Sequence, residues 1–360
     1  MNIQELEGKR IAVLLSGGVD SSVVVYEFAR LGLQPDCFYI KIGPEEKEDW
    51  DCNSEEDLEM ATLVARRFGC KLEVIDCHKE YWDQVTRYTM EKVKAGFTPN
   101  PDVMCNRLIK FGAFDEKMGH DYDLIATGHY AQTEWIDGRK WLTTSPDPVK
   151  DQTDFLAQIY DWQLKKAIFP IGHYEKNEVR EIAERENLIN AHRKDSQGIC
   201  FLGNIDYNEY VRRYLGEEIG DVIELETGKK IGEHKGLWFH TIGQRKGLGL
   251  GGGPWFVIKK DVTKNILYVS HGYDPATAYK KDFPLHDFHF LTEGITTLPE
   301  KITFKIRHTP EYHPATVEQL SDGRCIIHST ENIHGVAPGQ FCVVYDEQHH
   351  RCFGSGEITL

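Results

Sequence analysis

Arg10-Ile11-Ala12-Val13-Leu14-Leu15-Ser16-Gly17-Gly18-Val19-Asp20-Ser21-Ser22 reads as a buried strand that breaks at two glycines and continues as a helix. The apolar run suits a strand covered on both faces. Gly17 and Gly18 let the backbone turn tightly and come close to an anion. The amides of Val19 to Ser22 then point at that anion, and the helix dipole adds partial positive charge. Ser16 and Ser21 add hydroxyl donors. Asp20 is the odd member, because a carboxylate beside phosphates is repulsive unless a cation intervenes; magnesium is the expected cation. The loop lacks a Gly-Lys-Ser/Thr ending, so transfer of a γ-phosphoryl group is not indicated.

Strand and helix signals alternate outward from this loop. Residues 22–31 have helical spacing, 37–42 read as a strand, and 54–68 as an amphipathic helix with Ser54 as its N-cap. A strand at 71–76, a helix at 81–95 and a strand at 124–127 follow, the last ending at Gly128-His129. Such alternation predicts an α/β, Rossmann-like domain whose parallel sheet is covered on both faces. Its ligands sit at the carboxyl ends of the strands, where Ser16 and Gly128 fall. Near residue 204 the pattern changes to a helical stretch, 207–215, and then to short β-type segments at 255–259, 266–270, 302–306, 325–328 and 341–345. We expect three domains: an N-terminal unit over 1–205, a small central domain over 206–280, and a C-terminal β-barrel over 281–360. Gly247-Leu248-Gly249-Leu250-Gly251-Gly252 has dinucleotide-fold spacing, but no strand precedes it and no helix follows, so it reads as a loop.

The 360 residues include seven Trp, sixteen Tyr and seventeen Phe, enough for several packed cores. The net charge of −15 excludes a partner held by bulk electrostatics. A nucleic acid would need local basic patches, for which Arg139-Lys140, Arg193-Lys194, Arg212-Arg213, Lys229-Lys230, Arg245-Lys246 and Lys259-Lys260 are candidates. None of the nine cysteines forms a Cys-x-x-Cys pair, which argues against a zinc ribbon. No apolar run approaches the ~18 residues of a membrane-spanning helix. The polar start does not resemble a signal peptide, so a soluble, cytoplasmic chain is expected.

Two cysteines stand in distinctive surroundings. Cys105 follows Asn100-Pro101-Asp102, at the entry to a helical stretch and close to Arg107. A thiol so placed can be partly ionised, and Asp102 can serve a neighbour as acid or base. Cys200 lies between Gly198 and Gly203, downstream of Arg193-Lys194. Either residue could instead be a buried structural thiol. Beside a phosphate-holding loop, the two together suggest a persulfide on one and a resolving thiol on the other.

The Ser16 to Ser22 loop resembles that of the ATP pyrophosphatase superfamily, which implies ATP cleavage between the α and β phosphates and AMP transfer to an oxygen. The chain as a whole is similar to the bacterial tRNA-uridine 2-sulfurtransferases, the MnmA/TrmU family. The matching motifs are Asn100-Pro101-Asp102 through Cys105-Asn106, Phe111-Gly112, Ala126-Thr127-Gly128-His129-Tyr130-Ala131 and Lys150-Asp151-Gln152. Asp195-Ser196 through Cys200-Phe201, His240 to Gly249, and Ala337-Pro338-Gly339-Gln340 complete the set. The resemblance implies 2-thiolation of the wobble uridine in tRNAs for Lys, Gln and Glu. It makes Cys200 the persulfide carrier, loaded by a cysteine desulfurase or sulfur-relay protein, Cys105 the second catalytic cysteine and Asp102 the acid/base. Leu15 to Ser22 (Leu15, Ser16, Gly17, Gly18, Val19, Asp20, Ser21, Ser22), Ile40 and Gly128 would hold ATP. Asn100, Pro101, Asp102, Lys150, Asp151, Gln152, Arg307 and His308 would face tRNA. Two departures stand out: His308 replaces a usual aromatic residue, and Ile40-Lys41-Ile42-Gly43 replaces a Met-Lys-Asn-Trp-like sequence. An amide-forming ligase on the same scaffold, and a tRNA-binding protein without catalysis, are the competing readings.

Overall fold

The computed structural model describes residues 6–42, 54–195, 206–272 and 276–359. Its first layer is built around strand β1 (Ile11–Leu14), in which Ala12 and Val13 are wholly buried. Helix α1 (Val19–Arg30) follows, burying Val23, Val24 and Phe28, with Asp20 in its first turn and Arg30 in its last to complement the helix dipole. Strand β2 (Asp36–Lys41), helix α2 (Ser54–Arg67) and strand β3 (Leu72–Asp76) complete one half. The other half contributes β4 (Leu124–Ala126) and, beyond a hairpin of β5 (Gln132–Ile136) and β6 (Arg139–Thr143), the short β7 (Ala167–Ile168). The strands lie in the order β3-β2-β1-β4-β7, all parallel. β2 and β4 flank β1, so a crevice opens beyond the carboxyl ends of β1 and β4, where Ser16 and Gly128 fall.

The 81–95 helix begins earlier than expected, at His78, and includes a π-helical turn over Trp82–Thr86 before Arg87–Lys94. A second π segment, Asn106–Ala113, continues the helix Pro101–Cys105.

The central unit joins a helix, Tyr207–Leu215, to a sheet of β8 (Gly220–Glu224), β9 (Lys230–His234), β10 (Trp255–Asp261) and β11 (Ile266–His271), ordered β10-β11-β8-β9. The last six strands are β12 (Tyr279–Phe290), β13 (Lys301–Lys305), β14 (His313–Gln319), β15 (Cys325–His334), β16 (Phe341–Tyr345) and β17 (Arg351–Ile358). They form the ring β12-β15-β14-β13-β16-β17, which β12–β17 pairing closes into the expected barrel.

The β5–β6 hairpin was absent from the sequence reading. It turns at Asp137 (φ 51°) and Gly138 (φ 72°), the left-handed pair of a two-residue hairpin loop. It then pairs with β17 through Thr143 opposite Arg351 and Leu142 opposite Cys352, so the N-terminal stretch lends strands to the barrel sheet. One apolar cluster accordingly contains Phe38, Cys105, Phe111 and Leu156 together with Leu291, Val343, Tyr345 and Cys352.

Candidate active site

The loop after β1 is built by its own hydroxyls. Ser21 Oγ accepts from the Ser16 amide (3.2 Å) and donates to the Gly18 carbonyl (3.1 Å). Gly17 takes φ 81°, and a β-carbon there would lie 2.2 Å from the Asp57 carbonyl oxygen, so only glycine fits beside the first turn of α2. The first amides of α1 have no acceptor within their own helix. Opposite them stands Gly128, whose missing side chain matters, because a β-carbon would come within 3.0 Å of the Ser21 nitrogen. The first turn of α1 therefore stays uncovered on the side of Gly128. The Ser22 amide and hydroxyl both bond to the Gly18 carbonyl, at 3.1 and 2.9 Å, and the residue is wholly buried, so its side chain shapes the loop. Leu15 and Val19 are likewise buried supports, while Ile40 lies half-buried toward the carboxyl end of β2.

Residues distant in sequence hold this loop. Asn190, almost fully buried, donates from Nδ2 to the Gly17 carbonyl (2.7 Å) and the Ser22 hydroxyl (2.8 Å). Arg193 reaches the Gly17 carbonyl (3.4 Å) and pairs with Asp57 (2.6 Å). Asp20 receives the Tyr130 hydroxyl (2.8 Å) and the Lys176 ammonium (2.7 and 2.9 Å). Lys176 thus places a protein cation beside Asp20. Among the described residues no group of three or more His, Cys, Asp or Glu could hold a metal. Burial, and then the Asp20 charge, raise the Tyr130 phenol well above its ordinary pKa, so it stays a hydrogen-bond donor.

The Cys105 helix is fixed at both ends. Asn100 caps it, its Oδ1 accepting from the Asp102 amide (3.1 Å) and the Val103 amide (3.3 Å), and Pro101 occupies the first helical position. Asp102 and Cys105 are three residues apart and therefore share one helix face. Cys105 is fully buried at the junction with the π segment. There Gln163, itself buried, donates to the carbonyls of Arg107 (2.8 Å) and Phe111 (2.9 Å). Arg107 was expected near the thiol. Its guanidinium donates to Gln158 (2.8 Å) and to the Tyr160 hydroxyl, over whose ring it lies. One turn further on, Lys110 approaches His129 Nε2 (3.4 Å), tying this helix to the motif that carries Gly128. Burial, and then the nearby Lys110 charge, hold the His129 imidazole well below its ordinary pKa, and Thr127 engages its other ring nitrogen (2.7 Å). Cys200 and the rest of its motif beyond Asp195 lie outside the described residues, as does the 43–53 loop.

The residues assigned to tRNA separate into groups. Asn100, Pro101 and Asp102 are partly exposed at the helix start, and His308 is exposed, stacked on Phe155 and paired with Asp154 (3.2 Å). Lys150 pairs with Asp195 (2.9 Å). Gln152 is committed to the Tyr130 backbone in both directions, through its Oε1 (3.0 Å) and its own amide (2.8 Å). Asp151 has no exposed side chain. It is wholly buried, accepting from the Ser145 amide (2.7 Å) and the Thr153 hydroxyl (2.5 Å), with buried Lys305 at 3.9 Å, so its carboxylate is an internal tie. Arg307 is half-buried, donating to the carbonyls of Gly335 and Ile242, and joins the barrel to the central domain.

Sequence reasoning missed Lys176, Asn190 and Arg193 as loop contacts. Only Arg193 carried a signal, through its place just before Asp195-Ser196.

Comparison with known proteins matches each part of the chain. Residues 9–204 match the family described as tRNA methyl transferase HUP domain, 208–271 its PRC-barrel domain, and 280–358 an aminomethyltransferase β-barrel domain. A tRNA-specific 2-thiouridylase MnmA of Bacteroides thetaiotaomicron is 60% identical over 97% of this chain and 99% of its own length. The protein of that name in Parabacteroides distasonis is 57% identical over 97% of this chain and 98% of its own. A third, from Porphyromonas gingivalis, is also 57% identical, over 97% of this chain and 99% of its own. With its three domains in this order and this identity along nearly its whole length, the chain belongs to the MnmA family of tRNA-specific 2-thiouridylases.

Proposed function

We propose that the protein catalyses ATP-dependent 2-thiolation of the wobble uridine in tRNAs for Lys, Gln and Glu. One observation carries the mechanism: an uncovered phosphate cradle is tied, through His129 and Lys110, to the helix bearing Asp102 and Cys105. ATP, with magnesium as its companion, lies on the first amides of α1 against Gly128. The uridine 2-oxygen attacks the α-phosphorus, pyrophosphate leaves, and that oxygen becomes part of a good leaving group. Asp102 exchanges the proton that the uridine gives up or regains.

Sulfur comes from a persulfide on Cys200, loaded by a cysteine desulfurase or a sulfur-relay protein. Its terminal sulfur bonds to C2 and AMP departs. The Cys105 thiolate then attacks the Cys200 sulfur, leaving 2-thiouridine and a Cys105–Cys200 disulfide, which a cellular dithiol reduces. The tRNA would approach Asn100, Pro101 and His308. A methyl transfer would leave the cradle without a use.

The test is anaerobic incubation with ATP, magnesium, a desulfurase with cysteine, and unmodified tRNA, followed by nucleoside analysis. The wild type should form 2-thiouridine. Cys105→Ser and Cys200→Ser should each abolish it while ATP binding survives. Full activity in either variant would sink the two-cysteine mechanism, and amide formation with both cysteines dispensable would favour a ligase.

A further inference from the structure

Lys176 makes contacts that the chemistry above does not use. Its ammonium, 11% exposed, lies between two carboxylates: Asp20 of the phosphate loop at 2.7 Å and Asp195 at 2.9 Å. Asp195 is also held by Lys150 (2.9 Å) and Arg180. Asp147 fixes two of these cations, because its carboxylate accepts from the backbone amides of Lys150 (3.1 Å) and Lys176 (3.0 Å). Asn190 and Arg193, from the same stretch as Asp195, bond to the Gly17 carbonyl. The phosphate loop and residues 190–195 are therefore joined by three side chains, and Lys176 is the ionic one. In sequence, Asp195 stands five positions before Cys200.

We propose that Lys176 is a positioning residue that registers the stretch leading to the sulfur carrier against the phosphate loop, so that AMP transfer and sulfur transfer occur at one centre. The proposal rests on the thiolation reading above. Its consequence is a fixed stoichiometry. When sulfur attack is out of register, water attacks the adenylated uridine instead. That breaks the bond to AMP and regenerates uridine with no change of oxidation state, so ATP is consumed without product.

The test measures AMP and 2-thiouridine in the same reactions. The wild type should release one AMP for each 2-thiouridine. Lys176→Met should raise that ratio about fivefold or more, a partition that a general loss of structure would not produce. Lys176→Arg, which can still bridge two carboxylates, should return the ratio toward one. Asp195→Asn provides the second arm, since among the described residues Asp195 reaches the loop through Lys176. It should raise the ratio while leaving the ATP Kd within about threefold of wild type. If AMP and 2-thiouridine fall together at an unchanged ratio in both Lys176→Met and Asp195→Asn, the coupling role is overturned and Lys176 serves ATP binding alone. If the wild type releases AMP but forms no 2-thiouridine, the thiolation reading itself fails, and the coupling with it.

Discussion

Gly128 is the residue at which absence of a side chain does most. It ends the stretch after β4 and faces the first turn of α1, so a methyl group there would meet the Ser21 nitrogen at 3.0 Å and the Asp20 carbonyl carbon at 3.1 Å. Both are backbone atoms at a helix start and cannot swing aside as a flexible side chain would. Gly128→Ala should therefore cover the first amides of α1, where we propose that ATP lies. We expect ATP affinity to weaken by about tenfold or more, equivalent to about 1.4 kcal/mol. Isothermal titration with ATP measures this, and an unchanged Kd would show that the nucleotide does not use this face. The turn from β1 into α1 was legible in the sequence because its signal is local: two glycines and three serines inside seven residues. Lys176 and Asn190 were not legible, since they lie 156 and 173 positions from the loop atoms they contact, and no periodicity records such a distance.

At the scale of elements, the long helical stretch beginning at Pro101 depends on an intruding side chain. A π segment leaves carbonyls poorly served by the regular ladder, and such segments occur where a side chain enters it. Here Gln163 supplies two donor bonds, to Arg107 and Phe111, and its Oε1 accepts the Tyr160 amide (2.8 Å). Gln163→Leu keeps the volume and removes all three bonds, leaving buried carbonyls unpaired. A loss of about 2–4 kcal/mol is expected in urea unfolding, together with faster alkylation of Cys105 as the segment loosens. Stability within error of wild type would mean that the π segment holds itself. No propensity distinguishes a π turn from an α turn, so the sequence could give only a helix here. Elsewhere the signal existed but was passed over, as at Asp137-Gly138, whose flanking residues form β5 and β6. β12 was hidden for a different reason: Lys280, Lys281, Asp282, His286 and Asp287 break any apolar run, and an antiparallel barrel strand needs only one buried face.

The whole molecule explains why a barrel belongs to a nucleotide enzyme. The barrel shares a core cluster with the catalytic unit, and polar ties reinforce it, among them Gln158 to Ser355 (2.9 Å), Lys92 to Glu357 (2.5 Å), and the Thr98 amide to the Pro338 carbonyl (2.7 Å). The last tie sits two residues before Asn100, the cap of the helix that carries Asp102 and Cys105. Next to it, Gly339 adopts φ 88°, and a β-carbon there would lie 2.7 Å from Phe97 Cβ and 3.0 Å from the Thr98 nitrogen. The barrel thus presses one turn against the start of the Pro101–Cys105 helix, while the 16–22 loop is held by Asn190, Arg193 and Lys176, all from the N-terminal unit. Two supports for two halves of one site should be separable by mutation. Gly339→Ala should displace residues 97–98 and, through the cap, Asp102 and Cys105, lowering the rate of 2-thiouridine formation by about tenfold to a hundredfold, the usual cost of misplacing reacting groups by about 1 Å. ATP affinity should stay near the wild-type value. Single-turnover thiolation and equilibrium ATP binding on the same preparation test both halves. Parallel losses in rate and affinity would mean that the barrel braces the N-terminal unit as a whole; a rate loss alone places its role at the sulfur-transfer helix.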